Sequence, residues 1–464
     1  MLLPTLSSLS GALSAVVLLS LYSKSKQQNS YMKKTLLLIA TLLASYVGMA
    51  QETYHPTAEN LKAREQFQDE KFGIFLHWGL YSMMGTTEWI MTNRDINYKE
   101  YPKLAKTFYP SEFDADAWIK AIKAAGAKYI TITTRHHDGF SLFKTATSSY
   151  NSVDGTPFKR DIIKEIADAC QRNGIKLHLY YSHLDWGRED YPVGRTGTGT
   201  GRPKEKANWA SYYKFMNTQL TELLTNYGKV GAIWFDGWWD HDSDAKPFDW
   251  QLEEQYALIH KLQPQCLIAN NHHHTPFPGE DIQIFERDLP GENKAGLSGQ
   301  SIGRLPLESC QTINEHWGYN ITDTLYKSPK ELIQMLVRAA GKNANLLLNI
   351  GPEPGGALPE LALNRLQAIG KWLNKYGETI YGTRGGIIAP HEWGVSTQRG
   401  NKLYIHILNC MDSSLFIPTG NHKIKSATVF GTNKRVNFTK TGNGITLNLD
   451  TIPTDIDYIV ELTL

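Results

Sequence analysis

The sequence has almost no net charge, few cysteines and no recognised metal-binding motif. Its 48 Lys and Arg residues nearly balance 46 Asp and Glu residues, and no basic run stands out, so nucleic acid is not an expected partner. The cysteines, Cys170, Cys266, Cys310 and Cys410, are far apart and match no zinc or redox spacing. No His-Glu-x-x-His pattern is present either. These absences argue against a nucleic-acid-binding protein, and they predict no metal site.

The composition is that of a globular protein that is rich in aromatic residues. Hydrophobic residues make up 41% and charged residues 20% of the 464 positions, which is typical of neither a disordered chain nor a membrane protein. The length suits a barrel domain with a smaller second module. The 12 Trp and 23 Tyr residues could stack on sugar rings, although most tryptophans in a large protein lie in the core.

The first 50 residues have the features of a targeting sequence. Met32 and two lysines precede an apolar stretch over 36–47, and small residues occupy positions −3 and −1 of a cut after Ala50, as in a secretory signal peptide. We therefore predict export to the periplasm or the extracellular space. We interpret residues 1–31 as a gene-calling extension. The alternative is a membrane anchor, but the apolar run in this segment is short for a bilayer.

From residue 71 onward, short β-branched and aromatic runs alternate with amphipathic stretches, a pattern typical of parallel βα units. The predicted strands are 72–77, 129–135, 176–181, 232–235, 266–270, 281–285 and 345–349, with an irregular eighth. The predicted helices are 114–125, 160–173, 209–225, 253–262, 329–340 and 360–376. After residue 380 only short strands with turn residues recur, which predicts an antiparallel β-sandwich. The predicted domains are thus 51–380 and 381–464, after the targeting region 1–50.

A doubly wound sheet fits the alternation of strands and helices as well as a barrel does. The ends of the predicted strands decide between the two folds. Nearly every strand ends in a polar or aromatic cluster. These clusters are 75–78, 134–138, 180–183, 234–239, 270–272 and 286–288. In a closed barrel all of them meet on one face, where barrel enzymes have their active sites. The sequence therefore predicts an irregular (β/α)8 TIM-like barrel followed by a C-terminal antiparallel β-sandwich.

Asp236 is the first candidate for a catalytic group. It follows the apolar strand 232–235 and precedes a glycine and two tryptophans, a setting that favours the floor of an aromatic cleft over the alternative, a helix cap. Hydrolysis of a glycoside typically uses two carboxyl groups. The candidates for the second are Glu286, Glu292 and Glu308.

The histidines His136 and His137 suggest a metal, but adjacent strand residues point to opposite faces. Neutral imidazoles that form hydrogen bonds to sugar hydroxyls fit the pattern better. The run 272–274 is interpreted as a loop and not as a ligand set.

Several phrases in combination resemble the α-L-fucosidases of glycoside hydrolase family 29. They are KFGIFLHWG at 71–79, EW at 88–89, RHHDGF at 135–140, WFDG at 234–237 and NLLLNIGP at 345–352. The similarity runs from about residue 54 to the C-terminus. It implies a retaining, exo-acting hydrolase that removes terminal α-L-fucose from oligosaccharides or glycoconjugates and requires no cofactor. It also implies an irregular barrel with a C-terminal β-sandwich.

The resemblance assigns roles to particular residues. It implies Asp236 as the nucleophile, and it implies substrate contacts for His77, Glu88, Trp89, His136, His137, Tyr181, Trp234 and Trp317. Tyr180 is the alternative to Tyr181, and the aromatic of segment 317–320 would contact the fucose methyl group.

The proton donor is where this sequence departs from the family pattern. The nearest match is Leu289-Pro290-Gly291-Glu292, so Glu292 is preferred as the acid/base, with Glu286 as the alternative. An arginine that several relatives have after the fifth strand has no clear counterpart among residues 270–272. Two other functions stay open. One is a sugar-binding protein without catalysis, and the other is a barrel hydrolase that acts on another sugar or uses a metal.

Overall fold

The computed structural model describes residues 54–432 and 434–464. The predicted signal peptide and the segment before it lie outside these described residues. Within them, no helix combines the length and apolar character that crossing a membrane requires.

Eight parallel strands form one sheet in the order β5-β4-β3-β2-β1-β8-β7-β6. They are β1 (Phe72–Leu76), β2 (Tyr129–Arg135), β3 (Lys176–Ser182), β4 (Ala232–Asp236), β5 (Leu267–Asn270), β6 (Gln283–Glu286), β7 (Leu307–Thr312) and β8 (Ala344–Ile350). A parallel bridge between Ala269 and Ile282 links the outer strands β5 and β6. The sheet is therefore a nearly closed TIM-like barrel, and the doubly wound alternative is excluded.

Helices surround the barrel and bury their apolar faces against it. They are α1 (Ala58–Glu70), α2 (Ile90–Asn93), α3 (Ala115–Ala124), α4 (Ile162–Asn173), α5 (Trp209–Asn226), α6 (Leu252–Leu262), α7 (Pro329–Gly341) and α8 (Glu360–Tyr376). Short 3-10 segments are Leu80–Met84, Tyr101–Thr107, Thr198–Thr200, Lys204–Lys206, Trp238–His241 and Gly377–Thr379. Local signals fix the helix starts: the Ser328 side chain accepts from the Glu331 backbone N–H in a capping box at α7.

The sequence located seven of the eight barrel strands within two residues and missed β7. That strand reads Leu-Glu-Ser-Cys-Gln-Thr and has neither the apolar run nor the β-branched residues that identify a buried strand. Its polar residue Glu308 is nevertheless buried in the barrel, where it accepts hydrogen bonds from Tyr129 and Trp234. Helix α1 was also missed, because it has no continuous apolar stripe.

The C-terminal region forms two antiparallel sheets of five and three strands. Their strands are β9 (Arg384–Gly385), β10 (Gly394–Arg399), β11 (Lys402–Ile407), β12 (Ser414–Ile417), β13 (Ser426–Val429), β14 (Asn437–Thr441), β15 (Gly444–Asn448) and β16 (Tyr458–Thr463). The sheets enclose a core that includes Leu403, Leu447 and Val460. Gln334 of α7 donates to the backbone carbonyls of Leu408 and Ile456, so this β-sandwich packs against a barrel helix.

A buried arginine connects strand β2, which the histidine pair follows, to strand β3 and helix α5. Arg135, the last residue of β2, forms a fully buried ion pair with Asp185. It also donates to the carbonyl of Ser182 at 3.0 Å and to the hydroxyl of Tyr212 on α5 at 2.9 Å. Because a buried guanidinium that loses its anion or its hydrogen-bond partners is costly, these contacts of Arg135 fix β2, the end of β3 and α5 relative to one another.

We expect Asp185→Ala to lower the free energy of unfolding by about 3–5 kcal/mol, because it leaves a buried guanidinium without its anion. The matched control is Asp168→Ala on α4, which removes an exposed ion pair with Lys164 and should change that free energy by less than about 0.5 kcal/mol. Urea denaturation measures both values. Equal losses in the two variants would contradict this role for Asp185.

Candidate active site

The cleft lies at the carboxyl ends of the barrel strands and has a volume of about 210 Å³. Residues from almost every strand end line it: Phe75, His77, Glu88, Trp89, His136, His137, Tyr180, Arg195, Trp234, Asp236, Trp239, Asn271, His273, Glu286, Leu297, Cys310 and Trp317. The convergence that the sequence predicted is thus present. The residues predicted for the site line the cleft, except Tyr181, Glu292 and the candidate carboxyl group of Glu308.

Asp236 ends β4, and both of its oxygens receive hydrogen bonds. Oδ1 accepts from the backbone N of Gly237 at 2.8 Å and from Nε1 of Trp239 at 3.0 Å. Oδ2 accepts from the hydroxyl of Tyr180 at 3.0 Å. Burial and the negative charge of Glu286 raise the pKa of Asp236 to about 6. The carboxylate is therefore oriented by fixed donors and ionised at neutral pH.

The turn after Asp236 requires a glycine. Gly237 has a φ of +92°, and an added Cβ would lie 3.0 Å from the backbone N of Leu184. This turn leads directly into the 3-10 segment Trp238–His241, which brings the Trp239 indole back onto the carboxylate. The glycine and the second tryptophan of the sequence phrase thus have distinct structural roles.

Three histidines, His77, His136 and His137, are packed together beside Asp236. The ring centroids of His136 and His137 are 4.1 Å apart, and those of His77 and His136 are 5.6 Å apart. Burial lowers the pKa of His77 to about 4. Burial and the two other histidines place the pKa of His136 well below its ordinary range, and burial, His77 and Arg135 do the same for the pKa of His137. All three imidazoles are neutral at neutral pH.

The hydrogen-bond partners of Nδ1 determine which ring nitrogen of His77 and of His137 faces the cleft. Asn349 donates its Nδ2 to the carbonyl of Trp317, so its Oδ1 accepts from Nδ1 of His77 at 2.7 Å. The Ser182 hydroxyl donates to a backbone carbonyl and accepts from Nδ1 of His137 at 2.7 Å. Nε2 of each histidine is therefore an acceptor. Such acceptors suit hydroxyl groups. Among the described residues no group of three or more His, Cys, Asp or Glu side chains could hold a metal ion.

Aromatic rings form the walls of the cleft. Trp89 stacks on Trp239 with centroids 5.5 Å apart and an interplanar angle of 16°, and Trp317 packs against His77 at 5.2 Å. Next to Trp89, the Glu88 carboxylate accepts from the backbone N of Gly318 at 2.9 Å. The cleft thus combines apolar ring faces with a few oriented polar groups, as sugar-binding sites do.

Glu308, one of the three candidates for the second carboxyl group, lies beneath the cleft inside the barrel. It accepts from Nε1 of Trp234 at 2.9 Å and from the Tyr129 hydroxyl at 2.7 Å. Burial raises the pKa of Glu308 to about 7. Trp234 in turn stacks on Tyr180, with centroids 5.6 Å apart. Glu308 therefore supports the floor of the cleft and does not line it.

Glu286, the last residue of β6, is the carboxylate that lies next to Asp236. Nδ2 of Asn271 is 2.8 Å from Glu286 Oε2 and 3.4 Å from Asp236 Oδ1. These two distances place Oδ1 of Asp236 and Oε2 of Glu286 no more than about 6 Å apart, which is compatible with the carboxyl spacing of retaining glycosidases. Burial raises the pKa of Glu286, but hydrogen bonds from His273 and Asn271 more than offset it and hold the pKa below its ordinary value.

The structure does not bring Glu292, the preferred candidate from the sequence, to the cleft, whereas the alternative Glu286 lines it. Its carboxylate pairs with Lys294 at 2.9 Å and with Lys342 at 3.2 Å. Lys342 lies just before β8, at the end of the barrel opposite the cleft. The physical reason is the course of the connection between β6 and β7, which contains no helix: its residues Pro290 and Glu292 contact Lys342, and it returns to the cleft only at Leu297.

Tyr181 also lies outside the cleft, and Tyr180 takes the predicted position. Successive strand residues point to opposite sides of the sheet, so Tyr180 faces the barrel interior and Tyr181 faces the helices. The Tyr181 hydroxyl donates to Oε1 of Gln219 on α5 at 2.7 Å. The alternative that the sequence left open is the one that contacts Asp236.

Three residues that contact the carboxylates were not singled out in the sequence: Trp239, Asn271 and His273. Asn271 belongs to a polar cluster at a predicted strand end, which was the available signal. His273 was part of a run interpreted as a loop, and nothing in the sequence indicates that its imidazole turns back to Glu286, with Nε2 3.0 Å from Oε2.

The chain is similar in both sequence and structure to known proteins. The sequence profile described as Alpha-L-fucosidase matches residues 41–378. Plasma alpha-L-fucosidase of Rattus norvegicus is 30% identical over 406 residues, which cover 80% of this chain and 82% of that protein. Alpha-L-fucosidase isoenzyme 1 from Paenibacillus thiaminolyticus has a TM-score of 0.78 and 35% identity, covering 88% of this chain and 100% of that one.

An alpha-L-fucosidase GH29 from Bacteroides thetaiotaomicron, solved as a trapped covalent intermediate in complex with 2-fluoro-fucosyl fluoride, has a TM-score of 0.75 and 27% identity. It matches 89% of this chain and 97% of its own. The fold, the site and these relatives define the chain as a glycoside hydrolase built on a TIM-like barrel. It belongs to the α-L-fucosidase family, glycoside hydrolase family 29.

Replacing the two adjacent tyrosines tests the orientation of β3. Tyr180→Phe removes the hydroxyl that donates to Asp236 and should lower kcat/KM for an aryl α-L-fucoside by about 10–100-fold, as expected for a hydrogen bond to a charged group. Tyr181→Phe, the matched control, should change kcat/KM by less than about threefold, because its hydroxyl faces the helices, where it donates to Gln219, and contacts neither catalytic carboxylate. A larger loss in Tyr181→Phe than in Tyr180→Phe would refute the assignment.

Proposed function

We propose that this protein is a retaining exo-α-L-fucosidase in which Asp236 is the nucleophile and Glu286 is the general acid/base. The observation that carries the proposal is the short separation of these two carboxylates, which one amide nitrogen contacts simultaneously. Retention needs a carboxylate close enough to reach the anomeric carbon directly, with no water between them.

In the first step, Asp236 attacks the anomeric carbon of fucose. Its Oδ1 has three donors, from Gly237, Trp239 and Asn271, which leaves Oδ2 as the attacking oxygen. The bond from Oδ2 to the carbon forms while the glycosidic bond breaks and its electron pair goes to the leaving oxygen. Glu286 gives its proton to that oxygen, so the leaving group departs as a neutral alcohol.

In the second step, water replaces the leaving group. Glu286, now ionised, takes a proton from this water, and the water oxygen attacks the anomeric carbon. The bond to Asp236 breaks, and its electron pair returns to the carboxylate. Two displacements at one carbon give fucose with the configuration of the substrate, and no cofactor takes part.

Substrate recognition follows from the cleft. A volume of about 210 Å³ suits one terminal sugar ring, which supports exo action. The acceptor nitrogens of His77 and His137, with the carboxylate of Glu88, are arranged for hydroxyl donors. Trp317 provides an apolar surface for the methyl group. The trapped covalent intermediate of the Bacteroides thetaiotaomicron relative supports the same chemistry for this chain.

The substrate is proposed to be a fucosylated oligosaccharide or glycoconjugate, and nucleic acid is not expected as a partner. Signal-peptide cleavage after Ala50 and export to the periplasm or the extracellular space remain proposals from the sequence. So does the division into a catalytic domain over 51–380 and a β-sandwich over 381–464.

The direct test is hydrolysis of a panel of aryl glycosides, followed by proton NMR of the first product formed. The account predicts activity on the α-L-fucoside, insensitive to EDTA, with the α anomer of fucose appearing before the β anomer. Binding without hydrolysis would favour a sugar-binding protein. Preference for another sugar, loss of activity with EDTA, or initial release of the β anomer would each reject the proposed function.

Leaving-group dependence identifies the proton donor. Glu286→Ala should lose at least about 100-fold in kcat/KM on an alkyl fucoside, whose leaving group needs a proton, and much less on an aryl fucoside with an acidic phenol. Added azide should partly restore turnover by attacking the intermediate without a general base. Glu292→Ala is the matched control and should show neither effect. Azide rescue in Glu292→Ala alone would restore the sequence-based preference.

The pH dependence of kcat/KM follows from the pair of carboxyl groups, which needs one proton in total. The pKa shifts favour that proton on Asp236 in the free enzyme. The reactive form, with the proton on Glu286, has the same total charge and therefore the same pH dependence. The pair loses its last proton above the pKa of Asp236, about 6, and gains a second below the lowered pKa of Glu286. Activity should therefore fall above about pH 6 and again in acid. Glu286→Gln, assayed with an activated aryl fucoside, needs only ionised Asp236, so its activity should rise with pH and stay level. A decline above pH 6 in that variant would contradict the assignment.

A further inference from the structure

The segment after β5 contacts both catalytic carboxylates, although none of the steps above assigns it a role. Asn271 is 4% exposed, and its Nδ2 is shared between Asp236 and Glu286. Because both neighbouring atoms are carboxylate oxygens, only the NH₂ side of the amide can face them. Oδ1 of Asn271 has no hydrogen-bond partner among the described residues, so the two carboxylates alone determine how this amide is oriented.

His273 reaches the same oxygen of Glu286 from a different direction. Its Nε2 is 3.0 Å from Glu286 Oε2, so the imidazole donates its Nε2 hydrogen there. The residue has a φ of +65°, a conformation that is uncommon outside glycine and persists only when its surroundings hold it. His272 provides that support: it is buried, and its Nε2 is 3.0 Å from both carboxylate oxygens of Glu280.

Two donors on one oxygen have a consequence for the acid step. Oε2 of Glu286 accepts from both Asn271 and His273, and an oxygen with two N–H donors is a poor place for a third hydrogen. The proton that Glu286 delivers must then be on Oε1.

Resting on the function proposed above, we infer that Asn271 and His273 are positioning residues that keep the catalytic proton on Oε1 of Glu286. Asn271 also holds Asp236 and Glu286 at a fixed separation. Asn271 and His273 of this segment are therefore part of the acid/base machinery, whereas His274 is not.

The other titratable and charged groups near Glu286 come from several strands: Asp236 on β4, Cys310 on β7, His77 after β1 and Arg287 beside it. None of them donates a hydrogen bond to Oε2. Changes in the titration of Glu286 that follow a substitution at Asn271 or His273 can therefore be assigned to the lost donor.

The test compares His273→Phe with the matched control His274→Phe, whose ring packs against Trp238 and not against a carboxylate. In His273→Phe, kcat/KM should fall about tenfold or more on methyl α-L-fucoside and less than about threefold on an aryl fucoside with an acidic phenol. The acid limb of its pH profile should move to higher pH, because Glu286 loses a donor to its anion. His274→Phe should change neither.

Asn271 gives an independent measurement. Asn271→Leu removes a donor from both carboxylates and should move both limbs of the pH profile to higher pH. Asn271→Asp, which keeps the size but adds a negative charge, should move them further. Thermal unfolding of each variant shows whether it is folded. Equal losses on both substrates, with limbs that stay in place in folded variants, would overturn the inference. Absence of fucoside hydrolysis by the unchanged enzyme would instead reject the proposed function.

Discussion

The carboxylates of Asp236 and Glu286 are buried within about 6 Å of each other. Burying two negative charges so close together costs free energy, and most contacts in the site are explained by that cost. Burial and mutual repulsion both disfavour the charged forms. The surrounding donors from Tyr180, Trp239, Asn271 and His273 offset this cost. They also orient the carboxylate oxygens. The contacts that offset the cost of burying the pair therefore also position Asp236 for attack and Glu286 for proton transfer.

The barrel supplies those donors from different strands because all the carboxyl ends converge. Asp236 and its tyrosine partner come from adjacent strands β4 and β3, while Glu286 and Asn271 come from the ends of β6 and β5. Farther out, Arg135 joins β2 to β3, and Glu308 supports Trp234 from below. The three neutral histidines require no counterion, and His77 and His137 add acceptor nitrogens to the cleft. The C-terminal β-sandwich packs on α7, and none of its described residues lines the cleft.

The sequence was sufficient for the features that depend on local pattern. Apolar runs located seven strands, and the strand-end clusters identified the face on which Asp236, the histidine pair and Trp317 meet. Strand β7 was missed because its buried residues include Glu308, whose partners are distant in sequence. Tyr181 was placed in the cleft because choosing between adjacent residues needs the strand's register, which only the β3 to β4 pairing fixes. Glu292 was preferred because a loop motif does not reveal the course of the loop between β6 and β7.

The central claim is that Asp236 forms a covalent bond to the sugar. Incubation with 2-fluoro-fucosyl fluoride, followed by proteolysis and mass spectrometry, tests it most directly. The account predicts one fluorofucosyl group per chain, attached to the peptide that contains Asp236 and absent from Asp236→Asn. Attachment to another residue, or equal labelling of the Asp236→Asn variant, would contradict it.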